Sequence, residues 1–428
     1  MTLQPGAAAA VGRDRLVDLV RALSILVVVL GHWTMGAILR DTDGRVVVRN
    51  VLEVSPALHP LTWLAQVMPL FFLAAGFANA VSLWHGRPVR LFLTGRLDRV
   101  LRPTLPFLGL WLLAALLLPA LGVPADLLRT AGSNAAMVVW FLAVYLLLVL
   151  LAPLQARLRD RRAWLPVWLA PPVALLLDQL QGTSWSGLAL LNYLVVFGFA
   201  QQLGMLYAAG RLTRLPRRVW GVALAGALTL LVLATGPGPY PVSMIGLPGQ
   251  ERSNMLPPSV VVILVAVLQV SLLMLAAPVL RRWLDRPRVW RATIAVNLTV
   301  LTVFLWHLTA FVALAALAVG LGLPLPPLGS ATWWLHKPLW LVLAAALTVL
   351  LVLALQRWER PRPVARSGLL PWPATVLAAA GLAMVAAAGF AEPFARGGIA
   401  LAGVRFAAAP GAALVLLAWL LGRQRAES

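Results

Sequence analysis

Apolar runs of about twenty residues recur along this chain from Val17 to Gly422, separated by short breaks rich in arginine, glycine and proline. Wound as a helix at about 1.5 Å per residue, a run of that length crosses a hydrocarbon core of about 30 Å. The pattern predicts spans at 17–38, 61–82, 104–123, 136–155, 163–182, 188–210, 219–236, 259–280, 292–323 and 339–358, with two more at 374–391 and 398–421 after a basic linker at 359–373. The expected fold is therefore all-α: a polytopic transmembrane helix bundle with a ten-helix core in residues 13–362 and two additional helices within 371–422. The segment from Gly236 to Pro258 carries too much glycine and proline for one helix and is expected to fold as an irregular roof.

Composition agrees with the pattern. The 428 residues are 61% hydrophobic and 11% charged, which excludes a soluble domain with a single core. Cysteine is absent, so a disulfide, a thiolate metal site and a cysteine nucleophile are excluded together. The five histidines are scattered and no carboxylate stands at ligand spacing, so no metal site is expected. The first apolar run is read as a retained helix, because no A-x-A cleavage pattern follows His32 and because Asp18 and Arg21 interrupt its start.

The net charge of +21 would suggest a nucleic-acid partner in a soluble protein, but here the positions of the charges decide. Of the basic residues, 26 fall in every second break and eight in the alternate ones, with Arg21 inside a span. The positive-inside rule then places both termini in the cytoplasm of a multi-pass protein of the inner (plasma) membrane, with the bilayer rather than nucleic acid as its partner.

Arg21 and His32 stand eleven residues apart in the first run. On a helix that is about 16 Å along the axis and only about 20° in azimuth, so they share a face. Asp18 lies three residues before Arg21, near the same stripe and within pairing distance of the guanidinium. A charge facing lipid costs about 2.5–3.5 kcal/mol on insertion scales, so this stripe is expected to face the bundle interior. The plain alternative is that Arg21 snorkels to the headgroups and His32 bonds a neighbouring helix. Against that, a neutral imidazole is the side chain best suited to general-base work near neutral pH.

Six stretches now carry a resemblance. RLVDLVRALSILVVVLGHW, Arg15 to Trp33, resembles the first helix of the acyltransferase-3 family of membrane acyltransferases, whose signature is Arg or Lys, ten residues, then His. MPLFFLAAGF, from Met68, resembles that family's second-helix motif, with Ala75 where Ser is usual. GRLDRVLRPTLPF, from Gly95, resembles its cytoplasmic arginine motif, with Arg96 and Arg99 in the Arg-x-x-Arg positions and Pro103 expected to open the third helix. VVWFLAVYLLLVLLAPL, from Val138, resembles the fourth helix. FLWHL, from Phe304, resembles a late motif usually written with Tyr at its first position, and Glu359-Arg360-Pro361 resembles the closing tag. The likeness covers about residues 13 to 362, and six motifs stand in order. Ala75 and Phe304 lack the usual hydroxyls, so neither is assigned proton transfer or substrate hydrogen bonding.

The resemblance implies transfer of an acyl group from a cytoplasmic donor, commonly acyl-coenzyme A, to a hydroxyl of a carbohydrate or related acceptor, often beyond the membrane. Acyl-coenzyme A is thus expected as co-substrate, with no permanently bound cofactor, and no fused esterase-like domain is expected. His32 is the expected general base, Arg21 with Asp18 the expected donor-holding or charge-stabilising group, and Arg96, Arg99 and Arg102 the expected donor-binding cluster, where guanidiniums fork onto phosphate oxygens. His307 lies at nearly the depth of His32, so the two are within reach of meeting, and Asn297 stands ten residues earlier as a candidate for the same cavity. His59, His85 and His336 are expected in or beside loops. The rival classes are a proton-coupled transporter of an anionic or lipidic substrate, with Arg21 as anchor and His32 as relay, and a structural membrane subunit that needs neither residue.

Overall fold

The computed structural model describes residues 13–158, 160–250, 252–360 and 367–423. In chain order they form α1 (Arg15–Met35), β1 (Gly36–Arg40), β2 (Val46–Asn50), α2 (Met68–Trp84), α3 (Val89–Ala120), α4 (Ala125–Met137), α5 (Val139–Arg157), α6 (Leu165–Asp178), α7 (Asn192–Ala208), α8 (Arg217–Thr235), α9 (Val260–Leu284), α10 (Pro287–Leu298), α11 (Val300–Gly320), α12 (Ala331–Leu355), α13 (Pro371–Ala388), β3 (Gly397–Leu401), β4 (Val404–Phe406) and α14 (Ala408–Gly422). Among the described residues, ten helical stretches are long and apolar enough to cross a membrane: Arg15–Met35, Pro56–Trp84, Val89–Ala120, Ala125–Arg157, Ser186–Ala208, Arg217–Thr235, Val260–Leu284, Val300–Gly320, Ala331–Trp358 and Pro371–Ala388. This is an all-α, multi-pass membrane protein, with sheet confined among those residues to the two-stranded ribbons β1–β2 and β3–β4.

Several element bounds differ from expectation, each for a local reason. The run expected as one span at 292–323 breaks at Thr299, where α10 ends and α11 starts, because the Asn297 side chain bonds backward to Thr293 and across to Asp18, while a carboxylate from elsewhere caps α11. The third helix does not open at Pro103. It begins at Val89 and carries Pro103 inside it. A proline there leaves the carbonyl four residues back without a backbone donor, a loss that a long helix tolerates near its polar end. The run at 163–182 gives only the 14-residue α6, and the run at 398–421 is split into a ribbon and the 15-residue α14. Pro361 and Arg362, the end of the closing tag and of the expected core, lie outside the described residues.

The chain builds two compact units that alternate along the sequence. The first takes the described residues up to Val27, with His59–Pro88 and Leu151–Leu298. Here α2 and α7 approach so closely that a Cβ on Gly76 would overlap the Gln201 carbonyl and one on Gly204 the Leu73 carbonyl. Small residues permit this backbone contact, and buried amides fasten it: Asn79 donates to Gln201 at 3.2 Å, Gln201 to Gln155 at 2.6 Å, and Gln155 to the Gly198 carbonyl at 3.0 Å. The irregular segment 236–258 is tied to helices of this same unit. Trp63 donates to the Val242 carbonyl, Gln66 to that of Met244, and the Tyr240 hydroxyl to buried Asp178 at 2.9 Å. Burial, and then the Asp178 carboxylate, push the Tyr240 phenol upward, so it stays a donor.

The second unit takes Val28–Leu58, Val89–Leu150 and the described residues from Thr299 on. Its last helices, α13 and α14, pack on each other and on α3. Phe390, fully buried just after α13, sits edge-on to Phe107 at 5.9 Å and parallel to Trp111 at 5.7 Å, and Phe107 in turn meets Trp306 at 5.3 Å. The C-terminal helices therefore reach, through two successive aromatic contacts, Trp306, the residue beside His307.

Candidate active site

The first turns of α1 are organised by carboxylates. Asp14 accepts from the Leu16 amide at 2.8 Å, a cap at the positive end of the helix, and also from the Tyr207 hydroxyl at 2.9 Å and Arg281 at 3.0 Å. Asp18, 8% exposed, accepts from Arg21 Nη2 at 3.1 Å with one oxygen and from Arg13 Nε at 2.5 Å with the other. Arg21 Nε donates to Asn297 Oδ1 at 2.5 Å. The Asn297 amide group donates back to the Asp18 carbonyl at 2.8 Å and to Thr293 at 2.9 Å, which fixes its orientation. The Arg21–Asp18 contact expected from their spacing forms, and Asn297, named as a candidate for the cavity of the histidines, bonds Arg21 and the Asp18 carbonyl. Asn297 belongs to α10, and its contacts are with α1 at Arg21 and Asp18.

Farther along α1, within the second unit, the two membrane-embedded histidines meet. His32 Nδ1 lies 2.8 Å from His307 Nε2, and the ring planes differ by 4°. The centroids are 5.1 Å apart, as a nitrogen-to-nitrogen bond along the line of centres requires, so the rings lie edge to edge. His307 Nδ1 is 2.7 Å from the Phe304 carbonyl. A carbonyl only accepts, so His307 carries its proton on Nδ1. In the neutral pair His307 Nε2 is then the acceptor and His32 Nδ1 the donor, which leaves Nε2 of half-buried His32 with the lone pair. The sequence of contacts fixes the tautomer of both rings.

The surrounding backbone holds this pair from three sides. Trp33 Nε1 donates to the His307 carbonyl at 3.0 Å. A Cβ on Gly36 would stand 2.8 Å from the His32 carbonyl and 2.9 Å from the Phe311 ring, so only glycine lets the chain leave α1 against α11. Thr299 supplies no side-chain cap to α11, and Glu359 supplies one instead. Its carboxylate accepts from the Leu301 amide at 2.8 Å, the Thr302 amide at 2.8 Å and the Thr302 hydroxyl at 2.6 Å, placing a negative charge on the helix N-terminus two turns before His307. Arg102 donates to the neighbouring Arg360 carbonyl at 2.9 Å.

Arg96, Arg99 and Arg102 stand on the first turns of α3 rather than in a loop. A spacing of three brings them along one side of the helix. Arg102 is buried and lies 3.8 Å from Asp98, Arg96 stacks over Phe92 at 5.3 Å, and Arg99 is exposed. Ala75 is buried in α2, and buried Phe304 packs edge-on to Phe141 at 5.2 Å. His59 lies within the short 3-10 helix Pro56–Leu61, exposed His85 follows the end of α2, and exposed His336 sits on α12, bonded to the Thr332 carbonyl.

Two residues here were not singled out as site residues from the sequence. Glu359 was read only as part of a tag. Lys337 was counted among the charges of an outer break, since the span was drawn from residue 339, but α12 starts at Ala331 and Lys337 is 7% exposed within it. A lysine inside the apolar stretch ATWWLHKPLWLVL was the available signal.

Comparison with known proteins bears on the same stretch. No curated protein and no solved structure matches the chain significantly. The family model of the acyltransferase-3 type, described as an acyltransferase domain, matches residues 15–357, from the first residue of α1 past the end of α12, and so includes Arg21, His32, Asn297 and His307. With most of its length so matched, this chain belongs to the acyltransferase-3 family.

Proposed function

We propose that the protein moves an acyl group from a cytoplasmic thioester, acyl-coenzyme A, to a hydroxyl of a carbohydrate or related acceptor on the far side of the membrane, with His32 as general base. One observation carries this reading: the bonded series Phe304 carbonyl, His307, His32, which leaves His32 Nε2 as an oriented proton acceptor. Nε2 takes the proton of the acceptor hydroxyl as its oxygen attacks the thioester carbonyl. The C–S bond of the resulting tetrahedral intermediate breaks, and the leaving thiolate takes the proton back from Nε2. While His32 holds that proton, its Nδ1–H is directed at His307 Nε2, so the positive charge spreads over both rings and towards the Phe304 carbonyl. His307 thus has the orienting role that a carboxylate has beside histidine in other acyl-transfer sites.

Arg21, held by Asp18 and Asn297, is proposed to bind the anionic part of the donor. Exposed Arg99 and partly exposed Arg96 are separate candidates for phosphate contacts. Arg102, tied to Arg360, shapes that end of α3. The charge asymmetry of the breaks supports cytoplasmic termini in the inner membrane.

Purified protein in detergent or proteoliposomes, given radiolabelled acetyl- or longer acyl-coenzyme A and a panel of mono- and oligosaccharides, tests the reading. The expected result is release of free coenzyme A with label in the sugar, abolished by His32→Ala. Uptake of label into proteoliposomes without thioester cleavage would replace it with the transporter reading.

A further inference from the structure

Lys337 occupies an unusual position for a lysine. Its ammonium, buried in α12, donates to the Trp33 carbonyl at 3.1 Å and to the Gly36 carbonyl at 2.6 Å, and its third side lies over the Trp333 ring at 4.0 Å. No carboxylate stands within ion-pair distance of it among the described residues, so its charge is balanced by carbonyl oxygens and a π face. Those oxygens are at the C-terminal end of α1, where the last four carbonyls have no partner within the helix and the helix dipole is negative. A cation is the complement of that end.

The carbonyls it grips belong to the residues one and four places after His32. Trp33, the next residue, is held twice: its carbonyl by Lys337 and its indole by the His307 carbonyl. His32 is therefore fixed in height and rotation by a bracket whose two arms are α12 and α11. The His32–His307 bond needs both rings in one line, and a small rotation of the end of α1 opens it. We propose that Lys337 is a positioning residue for the reaction, holding the last turn of α1 so that His32 Nδ1 meets His307 Nε2. This rests on the reading of His32 as the base.

Lys337 also lines an apolar cleft of about 250 Å³ together with Leu314, Leu317, Trp333 and Trp340. Removing the side chain should leave a space that a small amine can enter from this cleft, which gives the test. In Lys337→Ala, kcat is expected to fall about ten- to a hundredfold per folded molecule while the donor KM stays within about twofold, the pattern of a misplaced base rather than lost binding. Methylammonium or ethylammonium should restore part of kcat in Lys337→Ala, ethanol of similar size should not, and neither should act on His32→Ala. Lys337→Arg keeps the charge over Trp333 but not the two-carbonyl grip, so it should fold fully and still show the kcat loss. Wild-type kcat in Lys337→Arg, or activity in Lys337→Ala that falls only with the amount of folded protein and is not moved by amines, overturns the proposal. An inactive His32→Ala beside a fully active Lys337→Arg removes Lys337 and keeps the base. An active His32→Ala removes the reading on which both rest.

Discussion

The two ends of α1 solve the problem of polar groups in an apolar helix in opposite ways. At its start, five ions and one amide stand together: Arg13, Asp18 and Arg21, fixed by Asn297, and the nearby pair of Asp14 with Arg281. At its end, the two histidines proposed to carry the chemistry are uncharged in the resting tautomer, and the buried cation there, Lys337, touches backbone rather than a side-chain acid. Ion pairs are affordable where water and headgroups are near, while deeper in the span a neutral imidazole chain keeps proton-accepting power without a permanent charge. One helix can thus present an anion-holding end and a proton-accepting end, and substitutions at the two ends should fail in different ways.

The largest effect is expected at His32. His32→Ala should lower turnover about a hundred- to ten-thousandfold per folded, membrane-inserted molecule, with donor binding nearly intact. Stopped-assay turnover together with equilibrium binding of labelled donor separates the two quantities. A specific activity near wild type would place the base elsewhere, with His307 next in line.

His307→Ala should sit between a full loss and a binding defect. It removes the acceptor for His32 Nδ1–H and leaves that donor unpaired in an apolar site, so a fall of about ten- to a hundredfold in kcat is expected. His307→Gln, whose side-chain oxygen can accept the same proton, should recover part of it. Equal loss in both variants would mean that the contact only packs the helices.

At the other end of the helix, Arg21→Ala is expected to raise the donor KM about ten- to a hundredfold, as loss of a charge-assisted contact does, and to leave Asp18 and Asn297 without their shared donor. Arg21→Lys should recover part of the binding, since a point charge still pairs with Asp18 but does not span both partners. A kcat loss with unchanged KM would erase the contrast between the ends.

What could be read from the chain follows the same physical division. Spans are legible because the bilayer demands uninterrupted apolar length, and the depth of His32 and His307 follows from counting residues. Azimuth is set by packing, so their meeting could be raised but not fixed. The break at Thr299 was hidden because residues 292–323 contain neither glycine until Gly320 nor proline, and the signal for a new helix, Glu359, arrives from 58 residues downstream of Leu301. Lys337 was misread because a cation followed by Pro338 looks like the edge of a span, whereas the proline sits inside α12. The ribbon at Gly36–Asn50 escaped because its first strand, Gly36–Arg40, continues the apolar run of α1.

A milder effect is expected where the histidine end is supported from a distance. Glu359→Gln keeps the shape of the cap on α11 but replaces a carboxylate by an amide, so the interaction with the helix dipole and three donors weakens. A stability loss of about 1–2 kcal/mol is expected, read as a lower thermal midpoint in detergent, with kcat falling severalfold and donor KM unchanged. A change in donor KM instead would link Glu359 to the arginine end.

The smallest effect should come from the pair of substitutions that orients the comparison in the membrane. Because native cysteine is absent, single cysteines report side directly. Asp43 is exposed at the tip of the β1–β2 hairpin that follows α1, and Arg90 is exposed at the start of α3. Neither touches the histidine pair, so Asp43→Cys and Arg90→Cys should each retain most activity. In intact cells an impermeant maleimide should label Asp43→Cys, and it should reach Arg90→Cys only after the membrane is opened, because the positive-inside rule assigns the arginine-rich breaks to the cytoplasm. Labelling of Arg90→Cys from outside would reverse the molecule. The proton-accepting end of α1 would then face the donor compartment, and Arg21 could no longer be the residue that meets a cytoplasmic anion.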